Sequence, residues 1–143
     1  MNDRPIIITD ADVLVSLVLE EDDNHKKTKE LLVQLISQNA IIKTPISAFA
    51  EAVTVLKRRL EKPELAQKLI EQCERESLPV EGINNDINPI ALGLFKSGDA
   101  KGNTYFDAII AATAKKYQAT AIFSYDHWYR KQGFTLVEDL FKL

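Results

Sequence analysis

Four acidic residues stand where a carboxylate can do chemistry. Asp10 ends the apolar run Ile6-Ile7-Ile8-Thr9, and Glu51 lies among small and apolar neighbours in Ala48-Phe49-Ala50-Glu51-Ala52-Val53. Asp107 follows Thr104-Tyr105-Phe106, and Asp126 follows Ser124-Tyr125. Three of them have an ordinary structural reading: Asp10 and Asp126 can cap the helical turns that follow, and Thr104 to Asp107 has the spacing of a capping box, with Asp where Glu or Gln is usual. Glu51 is harder to explain, because an ionised carboxylate among apolar neighbours needs a partner. Neither Lys57 nor Arg58 stands at the helical pairing distance from it. A cation shared by acids that meet in one crevice explains all four positions at once. Carboxylates without neighbouring His or Cys make a hard, oxygen-only donor set, which suits Mg²⁺ or Mn²⁺ and not structural zinc. His25 and His127 show no ligand spacing. Such an ion polarises a phosphoryl oxygen, activates water and stabilises the leaving oxygen, so phosphodiester hydrolysis is the chemistry expected.

The acids act together only if the fold brings them to one place. The run Ile6 to Thr9 predicts a first strand covered on both faces. Helical spacing of apolar residues over 13–19 and 25–36 predicts two helices, parted by the acidic stretch 20–23. Ala40-Ile41-Ile42-Lys43 predicts a second strand, and Thr44-Pro45 supplies an N-cap and a first-turn proline for a helix over 45–60. A helix over 63–77, a weaker strand over 78–83 and a short helix over 86–96 follow. The turn-rich stretch 98–103 leads to a helix over 104–117, a strand over 119–124, a helical turn over 126–132 and a last strand over 134–137. Strands alternating with helices imply one α/β domain over residues 1–143, a three-layer α/β/α sandwich with a central, mainly parallel sheet. Ligands of such sheets sit beyond the carboxyl ends of the strands, where strand order reverses. Asp10 and Asp126 fall just past strand ends.

Composition narrows the classes. With 45% hydrophobic and 27% charged residues the chain can bury a substantial core, and with no apolar run near 18 residues it lacks a spanning helix. A formal net charge of −3 argues against a general electrostatic clamp on nucleic acid but leaves room for a local one. The N-terminus does not read as a secretory signal, and the lone Cys73 fits a reducing compartment, so a cytoplasmic location is expected.

The series Ile8-Thr9-Asp10, Ser47-Ala48-Phe49-Ala50-Glu51, Tyr105-Phe106-Asp107-Ala108-Ile109-Ile110-Ala111-Ala112 and Ser124-Tyr125-Asp126 resembles, in order and spacing, the four acidic motifs of PIN-domain nucleases, especially VapC-like ribonuclease toxins. The resemblance spans nearly the whole chain. It implies a metal-dependent ribonuclease, dimeric and inhibited by a small antitoxin whose tail occupies the groove. It assigns Asp10, Glu51, Asp107 and Asp126 as the catalytic, Mg²⁺- or Mn²⁺-holding acids, with Ser124 as the supporting hydroxyl.

One departure is Asp10-Ala11-Asp12, where relatives carry Thr or Ser and then Asn or Ser. Asp12 reads either as a carboxylate behind the ligands or as an exposed residue of the first helical turn, and the second is the expectation. The same Asp-Ala-Asp also resembles the first motif of haloacid-dehalogenase-type phosphatases, with Thr44 imitating their second motif. Against that, Gly98-Asp99 lacks a preceding strand and no lysine stands in a motif position. A fold kept as a non-catalytic binding module is a third reading. Candidate RNA contacts are Lys43, Arg58, Arg59, Lys101, Lys115, Lys116, Arg130 and Lys131, with Tyr105, Trp128 and Tyr129 as stacking surfaces. Arg130 and Lys131 are preferred because the turn after Asp126 should border the crevice. A homodimer is expected if the apolar helices over 13–19 and 45–60 carry more apolar surface than one core covers.

Overall fold

A computed structural model describes residues 3–97 and 103–141. Strand β1 (Ile6–Thr9) lies at the centre of a four-stranded sheet, between β2 (Ile41–Pro45) and β4 (Ala121–Phe123), with β3 (Val80–Glu81) outside β2. Every pairing is parallel. The order β3-β2-β1-β4 places the reversal of strand order between β1 and β4. Both are almost wholly apolar because both of their faces are covered. Ile8 and Ile122 pack on one side with Ile110, Ala111 and Tyr129, whereas Ile7, Ala121 and Phe123 pack on the other with Val13, Leu31 and Leu35. That alternation is the period of two of a pleated strand read as a sandwich of three layers.

Helices α1 (Ala11–Val18) and α2 (His25–Ser37) cover one face, and α3 (Ile46–Thr54) and α6 (Tyr105–Lys116) the other. Helix α4 (Pro63–Glu74) packs through Ala66 and Leu69 on α1 and on the end of α3, and α5 (Ile87–Ser97) packs on α6. Two single-turn helices, α7 (Trp128–Lys131) and α8 (Val137–Leu140), close the chain. The expected α/β sandwich with its parallel sheet is therefore the fold.

Local departures have identifiable causes. Thr44 and Pro45 are the end of β2, and α3 starts one residue later, with Pro45 in an extended conformation at its N-cap. The proline ring stays in the strand because Pro45 pairs with Glu81 at the sheet's edge. No strand forms over 134–137. Only Leu136 bridges to Ile122, and the carboxylate of Asp139 accepts a hydrogen bond from the Leu136 N–H, starting α8 instead. Past β1 and β2, Thr9, Thr44 and Phe123 form part of the wall of a cavity of about 290 Å³, lined also by Val13 and Leu32, and the two threonine hydroxyls there have no hydrogen-bond partner.

Candidate active site

Asp10 leaves β1 at the reversal of strand order and caps α1, its Oδ1 accepting from the Ala11 N–H at 2.7 Å. It is 5% exposed. Its Oδ2 accepts from the Tyr129 hydroxyl at 2.7 Å and lies 3.2 Å from Ser124 Oγ, at the end of β4. Ser124 in turn lies 3.0 Å from Asp12 Oδ2, which also accepts from the Tyr125 N–H at 2.8 Å. The expectation that Asp12 is an exposed residue of the first turn is thus corrected: its side chain is half-buried and tied across the sheet to the exit of β4. Asp126 Oδ1 accepts from the Trp128 N–H at 2.9 Å, at the entry to α7, and its own N–H donates to Ser124 Oγ. Asp107 closes a capping box with Thr104, whose N–H donates to its Oδ2 at 3.1 Å. Capping and clustering are therefore not alternatives. The same hydrogen bonds that fix these turns hold the carboxylates in place.

Their electrostatics show the convergence. Burial, then the Asp12 carboxylate, with a smaller contribution from Asp107, push Asp10 up to about 8. Burial pushes Asp12 up to about 6, and Asp126 adds to the shift while the hydrogen bonds from Tyr125 and Ser124 oppose it. Asp107 is raised by burial and then by Asp126, against its bond to Thr104. Glu51 is raised by burial, by Asp107 and by Asp12. Asp10, Asp12, Glu51, Asp107 and Asp126 therefore lie near enough to feel one another's charge. Tyr129 stays a phenol, because burial and then Asp10 push its ionisation up.

The charge of Glu51 is favoured by Arg59, and a break in the helix explains why it is this residue. After α3 the chain makes a π-helical turn, Val55–Arg59, in which the Leu60 N–H reaches back five residues to the Val55 carbonyl at 2.9 Å. In an unbroken α-helix the residue seven places on, Arg58, would share the face of Glu51. The wide turn takes up one additional residue and puts Arg59 there. Such turns recur at functional sites.

Several expected RNA contacts are otherwise engaged. Arg130 is bound to Glu138 at 2.8 Å and to Asp139 at 2.6 Å, so it fastens α7 to α8 and does not present a free guanidinium to the pocket. Lys131 is exposed on the same turn. Lys43 pairs with Glu81 and lies over the Tyr117 ring, and Lys116 pairs with Asp86. Trp128 and Tyr129 are buried and packed edge to face, so neither offers a stacking surface. Lys101 and the Gly98-Asp99 pair lie outside the described residues. Sequence reasoning missed the tyrosine as a donor to Asp10, since nothing in the local pattern distinguishes a buried phenol from a surface one. Thr44 lines the cavity with Leu32 and Ile42, a wall that includes none of the five carboxylates.

A divalent cation fits this donor set in a specific way. The acids are hard oxygen donors, and Arg59 eases the charge of Glu51 among them. No three acidic, histidine or cysteine side chains among the described residues form a ready-made cage. Mg²⁺ and Mn²⁺ do not need one, because such ions are held by one or two carboxylates and keep several waters.

The PIN domain family profile matches residues 7–134. Solved structures share the fold. That of VapC20 from Mycobacterium tuberculosis, a sarcin-ricin loop cleaving toxin, superposes with a TM-score of 0.78 at 20% identity, covering 90% of this chain and 96% of that one. VapBC2 from Rickettsia felis, bound to a DNA fragment from its promoter, gives 0.66 at 18% identity over 92% and 96%. FitAcB from Neisseria gonorrhoeae gives 0.69 at 16% identity over 91% and 95%. No curated protein sequence matches the chain. A parallel α/β sandwich whose acids gather at the β1–β4 reversal defines the class. The chain belongs to the PIN domain family.

Proposed function

We propose that this chain is a Mg²⁺- or Mn²⁺-dependent endoribonuclease and the toxin of a toxin–antitoxin pair. The observation that carries the reading is the convergence of Asp10, Asp12, Glu51, Asp107 and Asp126 at the carboxyl ends of β1 and β4 in a chain of the PIN family. VapC20 is a sarcin-ricin loop cleaving toxin, VapBC2 was solved on a DNA fragment from its promoter, and a toxin–antitoxin complex from Klebsiella pneumoniae shares the fold, which supports RNA as substrate and a small antitoxin as partner. A bound divalent ion supplies charge neutralisation at a phosphodiester and a water of lowered pKa. The chain's own residues do the rest. Asp10, held by Ala11, Ser124 and Tyr129, offers the most rigid ligand, with Glu51, Asp107 and Asp126 around it. Arg59, on the face of Glu51, is placed to receive a substrate phosphate. The exposed apolar side chains Leu92, Phe95 and Phe106 on α5 and α6 support a homodimer through that side. Helix α1 does not contribute there, since Val13, Leu14, Val15 and Val18 are buried. A cytoplasmic location belongs to the same reading, and no helix among the described residues is long and apolar enough to cross a membrane.

The test is cleavage of mixed single-stranded and structured RNAs by purified protein, with Mn²⁺ or with chelator, and with Asp107→Asn as control. Cleavage that needs the ion and the aspartate is expected. Undiminished cleavage in chelator overturns the metal-dependent mechanism, and release of phosphate from small monoesters with RNA intact overturns the nuclease.

A further inference from the structure

The contacts that hold Asp12 begin and end at one residue. Its Oδ2 accepts from the Tyr125 N–H at 2.8 Å, and its Oδ1 accepts from the Val13 N–H at 2.8 Å. The Val13 carbonyl accepts in turn from Ser16 Oγ at 2.9 Å. Ser16 Oγ lies 2.7 Å from Thr28 Oγ1, and Thr28 Oγ1 lies 2.6 Å from the Tyr125 hydroxyl. The direction of every bond follows, because a hydroxyl has one proton. Ser16 spends its proton on the carbonyl, so Thr28 donates to Ser16, and Tyr125 must then donate to Thr28. The bonds close a circuit in which Tyr125 reaches Asp12 directly through its N–H and reaches the adjoining Val13 through its phenol, Thr28 and Ser16. Ser16 on α1 and Thr28 on α2 are both buried. Lys27 adds a further hold on the tyrosine, its Nζ 5.5 Å from the ring centre.

We propose that Tyr125 and Thr28 are positioning residues, which through this circuit set the orientation of Asp12 and tie α2 to the acid cluster past β1 and β4. The inference rests on the reading of that cluster as a ribonuclease site and adds residues that lie outside it. Burying hydroxyls between two helices costs free energy unless each is bonded, and apolar side chains would cover the same area without that requirement. What the hydroxyls add is direction. One order of donors satisfies all three, so the network holds α1, α2 and the turn after β4 in one relative placement. The N–H that binds Asp12 and the phenol that binds Thr28 belong to the same residue. A phenol tethered at its far end limits rotation of the Tyr125 backbone, and so keeps that N–H aimed at Oδ2 of Asp12. Ser124 and Asp126, on either side of Tyr125, are carried by the same turn.

The experiment combines amide hydrogen exchange of the metal-free chain with single-turnover RNA cleavage in Mn²⁺ and RNA affinity, for wild type, Thr28→Val, Thr28→Ser and Tyr125→Phe. Valine keeps the shape of threonine and removes the hydroxyl, whereas serine keeps the hydroxyl. In Thr28→Val the amide at position 125 is expected to exchange roughly 5- to 10-fold faster relative to that of Ile8 in β1. Cleavage is expected to slow by about 10-fold with RNA affinity nearly unchanged. Tyr125→Phe should behave in the same way, and Thr28→Ser should restore both readouts. A purely structural hydroxyl would lower the melting temperature and speed both amides alike. An exchange ratio that stays at the wild-type value in Thr28→Val, or a cleavage rate that does, overturns the proposal. If Thr28→Val fails to fold, Tyr125→Phe decides on the same ratio and rate. Wild type that leaves RNA intact in Mn²⁺ overturns the ribonuclease reading itself, and the exchange ratio then decides the circuit on its own.

Discussion

Ser124 Oγ lies 3.0 Å from Oδ2 of Asp12 and joins a residue at the end of β4 to one in the first turn of α1, across 112 positions of sequence. Because the Tyr125 N–H binds the same oxygen at 2.8 Å, Asp12 is a fixed member of the acid pocket. Asp12→Asn is therefore expected to lower RNA cleavage by about 10- to 100-fold, the usual cost of removing a group that orients a metal ligand. Asp10→Asn and Asp107→Asn should lose more. Single-turnover rates with Mn²⁺ on variants shown to be folded provide the comparison, and an Asp12→Asn enzyme within twofold of wild type would remove that residue from the site.

The second prediction concerns Glu51. Burial, Asp107 and Asp12 all disfavour its charge, and Arg59 favours it. Glu51→Gln keeps the shape and removes the repulsion, so the metal-free protein should melt higher, by a small margin because solvent screens this half-exposed side chain. The same change should reduce the stabilisation that Mn²⁺ brings. Melting curves in chelator and in Mn²⁺ check both. A variant that melts lower in chelator would show the Arg59 attraction to outweigh the acids.

Stability of the metal-free protein should fall between pH 5.5 and 8. Asp10 holds its proton to about 8 in the folded chain and only to about 4 when unfolded. Across that window the native state binds more protons than the unfolded one, so each step up in pH disfavours folding. Asp12, raised to about 6, contributes in the lower half of the window. Because a cation replaces the proton, Mn²⁺ should flatten the dependence, and its binding at pH 7 should release protons into a weakly buffered solution. A metal-free Tm that rises from pH 5.5 to 8 contradicts this account.

Two arginines near the pocket should behave oppositely. Arg59→Ala is expected to weaken RNA binding several-fold and to make the salt dependence of binding shallower by about one counterion. Arg130→Ala, which breaks pairs with Glu138 and Asp139, should leave RNA affinity nearly unchanged and lower thermal stability. Filter binding of an uncleaved RNA to the Asp107→Asn background, from low to moderate salt, separates the two. Equal losses for both would mean that the C-terminal ion pairs open to admit RNA.

Much of this was legible in the sequence because it follows from periodicity and from the order of elements. The apolar run before Asp10, the capping box at Asp107 and the small-residue stretch around Glu51 each report a local geometry, and parallel α/β topology then brings the ends together. What was not legible depends on contacts between distant segments. Asp12 turns inward because Ser124 and Tyr125, directly after β4, bind it. The importance of Tyr129 lies in a bond to a residue 119 positions away. The strand expected over 134–137 has the right residue types, but Asp139 captures the Leu136 N–H first. Arg130 follows Asp126 closely, yet α8 supplies it with two acids.

The π-helical turn Val55–Arg59 gives the chain an unusual tolerance of length. Removing a residue from a helix ordinarily swings everything beyond it by about 100°. Here the helix already carries one residue more than its rise requires, so a chain lacking Lys57 can close the turn into ordinary α-helix and still deliver the arginine now at position 59 to the side of Glu51. An added residue has no such outlet. The segment is open to shortening and closed to lengthening, and homologous chains of different length should differ there by loss of a residue before gain of one.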